Sequence, residues 1–210
     1  MEGIFAVNKP VGITSHDVIY QLRRKTGIKR IGHGGTLDPL ASGVLVVAIG
    51  RENTKQLDTV VKSEKEYVTE VLLGQISTTD DSEGEKTIIN DKINPSLNEI
   101  QDVVKGFIGV IKQTPPIYSA IKVGGKVAYK QARKGEVLKL APREVEVKDI
   151  EILEYKYPVL KLRITCGKGV YIRSIARDLG EKLKTGGYMK SLIRTRVGNF
   201  KIEDAIKLSD

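Results

Sequence analysis

The clearest hydrophobic signal in the chain is residues 44–49, VLVVAI, an unbroken apolar run rich in β-branched side chains. Such a run fits a strand buried on both faces. A shorter run at residues 3–7, GIFAV, stops at Asn8-Lys9-Pro10 and Gly12 and predicts a first strand entering a turn. Between the two, Val18, Ile19 and Leu22 recur at helical spacing behind Thr14 or Ser15, either of which can cap a helix. Arg23, Arg24 and Lys25 fall at the end of that helix, where basic residues suit its dipole. Residues 53–61 read as a further helix, with Leu57, Val60 and Val61 apolar.

Alternation in residues 67–73, YVTEVLL, predicts a strand, and the polar run 77–84, STTDDSEG, a turn region after it. Ser96 caps a predicted helix through Ile100, Val103 and Val104. Thr114-Pro115-Pro116 is a stiff extended break. Residues 120–125 read as a hairpin tip and 127–134 as a basic helix. The remainder is strand-rich, with strands expected at 144–147, 150–155 and 159–165. A helix through Ile172, Ile175, Ala176 and Leu179 follows Gly169, and short strands are expected at 192–195 and 200–202. Strands and helices alternate irregularly and strands cluster late, which favours an α+β fold over a regular parallel one.

Composition narrows the class. The 210 residues are 40% hydrophobic and 29% charged, an ordinary globular balance, and the length suits one domain, or one with a small appendage. One cysteine, Cys166, excludes an intrachain disulfide framework and a cysteine zinc cluster. Two histidines, His16 and His33, leave little for a metal site. No apolar run reaches membrane-spanning length, and MEGIFAVNKP lacks the pattern of a signal peptide, so a cytoplasmic location is expected.

The formal charge is +9, which points to a polyanion such as nucleic acid. The excess is concentrated: residues 111–140 carry +6, residues 161–198 carry +8, and residues 77–102 carry −5. Two separated basic stretches fit a phosphate-facing surface, although any single one also fits a solvated helix face.

The chain has no Walker loop, no dinucleotide fingerprint and no nucleophile elbow. Carboxylate, tyrosine, arginine and lysine chemistry remains. Gly32-His33-Gly34-Gly35-Thr36-Leu37-Asp38-Pro39-Leu40, just before the buried run, reads as a loop that can present Asp38. The same residues also fit a plain turn with Pro39 in its first position. Gly167-Lys168-Gly169 leads into a helix with Arg173 in its first turns, where it can hold a nearby carboxylate ionised. Tyr67 follows Lys65-Glu66; a tyrosine there serves packing, or stacks on an extruded base while offering a hydroxyl.

Six segments in order resemble one family, the TruB-type tRNA pseudouridine synthases. They are NKPVGITSHDV, GHGGTLDPLASGVLVVAIG, KEYVTEVLLG with TTDDSEG, QTPPIYSAIKVGGKVAYKQARKG, CGKGVYIRSIARDLG and LIRTRVGNF. The resemblance implies a pseudouridine synthase fold, with a central, mainly antiparallel mixed sheet flanked by helices and loops. It implies isomerisation of uridine to pseudouridine at position 55 in the T-loop of tRNA, by base flipping and an essential aspartate, without cofactor or metal.

By the same resemblance Asp38 is the catalytic aspartate, Tyr67 packs on the target uracil and takes part in proton transfer, and Arg173 pairs with the aspartate. His33 helps hold the flipped nucleotides, Asp81 binds substrate, and Lys9, Tyr171 and Leu192 line the pocket. Residues 111–140 resemble an RNA-gripping insertion. The family usually carries a C-terminal RNA-binding PUA domain, so residues 1–210 are expected to form a single catalytic domain without it. The expected partner is the tRNA T-arm, with no membrane and no obligate protein partner, and the chain is expected to be a monomer. A synthase acting on another RNA or needing a guide RNA, and a non-catalytic RNA-binding module, are the alternatives.

Overall fold

The computed structural model describes residues 2–89, 93–132, 134–136 and 138–208. Arg133, within the expected basic helix, lies outside them. In chain order the elements are β1 (Gly3–Lys9), α1 (Ser15–Thr26), β2 (Ile31–Gly34), β3 (Ser42–Ile49), α2 (Arg51–Lys55), α3 (Leu57–Lys62) and β4 (Lys65–Leu73). β5 (Gln75–Ser77), β6 (Lys86–Ile88), α4 (Leu97–Lys105), β7 (Gly109–Gln113), β8 (Lys122–Val123), β9 (Lys126–Val127) and α5 (Ala128–Ala132) follow. The last are β10 (Arg143–Lys156), β11 (Val159–Cys166), α6 (Ile172–Lys182), β12 (Gly187–Val197), β13 (Phe200–Lys201) and β14 (Ile206–Lys207). The fold is α+β, with a large mixed, mostly antiparallel sheet.

Two compact units divide the chain: residues 1–68, 163–168 and 191–210 form the first, and residues 69–162 and 169–190 the second. In the first unit the sheet order is β14-β1-β3-β12, with β2 also on β3 and β13 on β12. β1 and β3 are antiparallel, Gly3 opposite Ile49 and Lys9 opposite Gly43. β3 explains its own sequence, because both of its faces are covered. Leu45, Val47 and Ile49 pack with Val7, Ile31 and, from α1, Val18 and Ile19. Val44 and Val46 pack on the other side with Ala6, Val60 of α3 and Val197. Burying each valine, leucine or isoleucine among them is worth about 1.5–3 kcal/mol.

Thr14, not Ser15, caps α1, in a reciprocal capping box with Asp17, and Gly27 ends it in the left-handed region. The helix expected over 53–61 is two, α2 and α3, meeting at Gln56. The Gln56 and Thr59 N–H groups bond three residues back, to Asn53 and Gln56 carbonyls, which tightens the chain there.

In the second unit, which holds β4 from Thr69 onward and β11 up to Leu162, the order is β4-β11-β10-β7. β10 is one 14-residue strand where two were expected. Lys148 and Asp149 are both exposed between buried Val147 and Ile150, so the alternation slips while the strand continues. Ile111 lies opposite Val145 in the β7–β10 ladder, so the basic 111–140 stretch begins inside a sheet strand. Further on, β8 and β9 form the expected hairpin at Gly124-Gly125. α6 buries Ile172, Ile175, Ala176 and Leu179, as its spacing predicts.

Candidate active site

Asp38 sits in the first unit, half-buried, between β2 and β3. The plain turn does form: the Asp38 carbonyl accepts from Ala41 N at 3.0 Å across Pro39 and Leu40. That turn is anchored by the segment after β1. Gly12 N donates to the Pro39 carbonyl at 2.8 Å. Ser15 Oγ donates to the Leu37 carbonyl at 3.1 Å and accepts from Leu37 N at 2.9 Å. Ser15, freed from capping, therefore fixes the residue just before Asp38.

Lys9 closes the same bracket. Fully buried, its ammonium donates to the Pro10 and Ile13 carbonyls at 2.8 Å each and reaches Pro39 O at 3.5 Å. Burial brings its pKa down to about 8, with Asp38 pulling it up and Arg194 pushing it further down.

Tyr67 lies on the buried face of β4 and is 7% exposed. Burial pushes its phenol up, so the hydroxyl is protonated at neutral pH; the Arg194 charge opposes that shift and the Asp38 charge adds to it. His33 is on strand β2, opposite Val47, and not in a loop. Burial, with Arg194 and His16 beside it, holds its imidazole below the usual value, and Nδ1 is buried without a hydrogen-bond partner. Leu192 is buried on β12.

Three site residues lie in the second unit. Arg173 Nη1 pairs with Asp81 Oδ2 at 3.3 Å, and Nη2 donates to the Tyr118 carbonyl at 2.9 Å. Asp81 also accepts from Thr79 Oγ1 and from Glu83 N at 3.0 Å. Tyr171 precedes α6, and Gln113 clamps its backbone, accepting from Tyr171 N at 2.9 Å and donating to Tyr171 O at 3.1 Å. Ser174 Oγ and Arg177 Nη2 donate to the Thr114 carbonyl at 2.8 and 2.9 Å. The stiff QTPP segment is thereby held along the first turns of α6. Arg177 also binds Asp80 Oδ2 at 2.8 Å, and Asp80 has φ 60°.

A family model described as the TruB family pseudouridylate synthase N-terminal domain matches residues 23–172, and the tRNA pseudouridylate synthase B C-terminal domain matches residues 173–210. The chain is 44% identical over 206 residues to tRNA pseudouridine synthase B of Protochlamydia amoebophila (strain UWE25), covering 98% of this chain and 78% of that protein. It is 46% identical to tRNA pseudouridine synthase B of Clostridium novyi (strain NT), covering 100% and 72%. The chain belongs to the TruB family.

Among solved structures, a chain in a Cbf5-Nop10-Gar1 complex superposes on this TruB-family chain with a TM-score of 0.77 at 32% identity, covering 98% of this chain and 52% of that one. The TruB-family chain thus spans about half of that structure's length and about three quarters of the two named relatives.

Sequence reasoning missed Arg194. It is 1% exposed, with Nε donating to the Val44 carbonyl at 2.7 Å and Nη2 to the Gly35 carbonyl at 3.1 Å. The available signal was alternation on β12, which puts Arg194 on the same face as buried Leu192. Lys65 was missed too; buried, it donates to the Val61 and Ser63 carbonyls at 2.9 and 2.6 Å. Cys166 is buried as well, its thiol pushed up to about 12 by burial, which disfavours the thiolate.

Proposed function

We propose that this chain converts uridine to pseudouridine at position 55 of the tRNA T-loop, acting as one catalytic domain. The observation that carries this is the anchored Asp38 turn, within the electrostatic reach of a buried, protonated Tyr67. The reaction breaks the C1′–N1 bond, turns the uracil and forms a C1′–C5 bond. N1 gains a proton, C5 loses one, and no electrons are exchanged.

A carboxylate can attack the sugar or base, or remove a sugar proton. Either route needs Asp38 held still, which Lys9, Gly12 and Ser15 accomplish. Tyr67 packs against the uracil and offers its hydroxyl to the proton transfer at C5. Arg173 supplies the guanidinium of the catalytic set. His33, with its unpartnered Nδ1, holds extruded nucleotides, Asp81 binds substrate, and Lys9, Tyr171 and Leu192 are the remaining substrate-binding residues. Extruding the uridine costs a few kcal/mol, which phosphate contacts from residues 111–140 and 161–198 offset.

Incubating the purified chain with unmodified tRNA, then mapping pseudouridine chemically, tests the proposal. Modification at position 55, and of a bare T-arm stem-loop, is expected. Modification elsewhere, or only with an added guide RNA or protein, overturns it.

A further inference from the structure

Arg24, Lys29, Arg30 and Arg51 belong to neither of the two basic stretches, yet the first unit gathers them at one end of its sheet. Arg24 lies in the last turn of α1, Lys29 and Arg30 in the connection to β2, and Arg51 opens α2. Ile31 pairs with Ile49, and Gly50 N donates to the Arg30 carbonyl at 2.9 Å, so Arg30 and Arg51 flank one backbone hydrogen bond. Arg23 ties the end of α1 to the same place, its Nη2 donating to the Ile31 carbonyl at 3.2 Å.

All four side chains are exposed, and among the described residues none of them makes a hydrogen bond or an ion pair. The neighbouring acids leave the excess standing. Glu52 is taken by Lys55 at 2.8 Å, and Glu2, whose carboxylate lies against Gly50, offsets one charge of the four. Tyr20, 58% exposed, sits one turn before Arg24 on the surface of α1. The helix dipole accounts for Arg24 alone. Lys29 and Arg30 lie outside α1, and Arg51 stands at the positive end of α2, where the dipole disfavours a cation. Like charges crowded without counter-ions repel, and a polyanion relieves that repulsion.

This end of the sheet is remote from the reacting carboxylate. β3 leaves the Asp38 turn at Ser42 and ends at Ile49, and its 8 residues span about 23 Å at about 3.3 Å per step.

We propose that Arg24, Lys29, Arg30 and Arg51, with Tyr20, form a second RNA-contacting surface that grips phosphates of the tRNA outside its T-arm. This rests on the reading of tRNA as the substrate. The T-arm brings its loop to Asp38, with residues 111–140 and 161–198 for its phosphates, so a surface this far along β3 meets another part of the same molecule. Guanidinium forks and a tyrosine hydroxyl suit phosphate oxygens and read no sequence. The surface adds affinity for the whole tRNA and leaves the choice of uridine and the chemistry untouched.

The test compares full-length unmodified tRNA with a bare T-arm stem-loop, using the full chain and a variant carrying Arg24→Gln, Lys29→Gln, Arg30→Gln and Arg51→Gln. The variant is expected to bind full-length tRNA about tenfold more weakly at about 150 mM salt, with a log–log salt slope shallower by about 3. Its T-arm affinity, and its single-turnover rate on saturating T-arm, are expected to stay within about twofold of the unaltered chain. An equal loss on both RNAs places the surface on the T-arm and overturns the proposal, as does no loss on either.

A second measurement needs no substitution. Full-length tRNA is expected to protect Lys29 of the unaltered chain from acetylation, read by mass spectrometry, and the T-arm to leave it reactive. Lys29 equally reactive with and without full-length tRNA overturns the proposal even if the variant fails to fold. Neither readout requires turnover. A chain that binds tRNA through this surface and forms no pseudouridine fails the functional reading alone, and a chain that modifies tRNA with Lys29 unprotected fails this proposal alone.

Discussion

Arg173 and Asp81 form an ion pair at 3.3 Å with their side chains only 7% and 3% exposed. Both are further satisfied, Arg173 by the Thr79 and Tyr118 carbonyls and Asp81 by Thr79 Oγ1 and Glu83 N. Asp81→Ala strands a guanidinium in a buried site. It is expected to cost about 3–5 kcal/mol in urea unfolding. Asp81→Asn, which keeps the acceptor, should cost less. A loss under about 1 kcal/mol for Asp81→Ala would mean that solvent reaches the pair.

Asp38→Asn is expected to abolish pseudouridine formation while T-arm binding stays within about tenfold, or about 1.4 kcal/mol. The turn survives because its hydrogen bonds use backbone groups and Ser15. Tyr67→Phe removes only the hydroxyl and should lower rate more than affinity. Quench-flow turnover and filter binding separate the two effects, and retained turnover in Asp38→Asn would remove Asp38 from the reaction.

Gly43 has φ 103°, and an added Cβ would overlap the Arg194 backbone. Gly43→Ala therefore combines overpacking with backbone strain and is expected to cost about 3 kcal/mol or more. Thermal melting reads the loss. A melting temperature equal to that of the unaltered chain would show that β3 and β12 can separate without penalty.

Lys9 releases its proton at about 8 in the folded chain, against 10.5 ordinarily. Between those values the unfolded chain binds the extra proton, so unfolding takes one up. Raising the pH through that window therefore favours the folded state through this group. The stability of the unaltered chain relative to Lys9→Met should improve from about pH 8 towards 10.5 and be flat below it. A difference that shrinks with rising pH would show that Lys9 titrates normally.

Binding through residues 111–140 and 161–198 is expected to be strongly salt-dependent, because neutralised phosphates release counterions. T-arm affinity should fall by roughly tenfold or more between about 50 and about 200 mM salt. A flat response would take the basic stretches out of the binding surface.

Elements whose burial is local were legible in the residues. The β3 run announces two covered faces, and the α1 and α4 boundaries follow from capping side chains three residues from their acidic partners. β2 was not legible: IGHG has two glycines and one histidine, so its strand comes from pairing with β3. The two-strand expectation for β10 failed because exposed Lys148 and Asp149 mimic a turn where the ladder continues.

The sequence by itself determined the α+β class, the family resemblance and Asp38, Tyr67 and Arg173 as candidates, because periodicity and ordered motifs are properties of neighbouring residues. Only the tertiary structure decided that Ser15 braces the Asp38 turn, that Lys9 is spent on backbone carbonyls and that Arg194 bonds the Val44 and Gly35 carbonyls. Arg194 and Val44 are 150 residues apart in the chain. A hydrogen bond across that separation leaves no periodic trace, and forms because Gly43 lets β12 lie against β3.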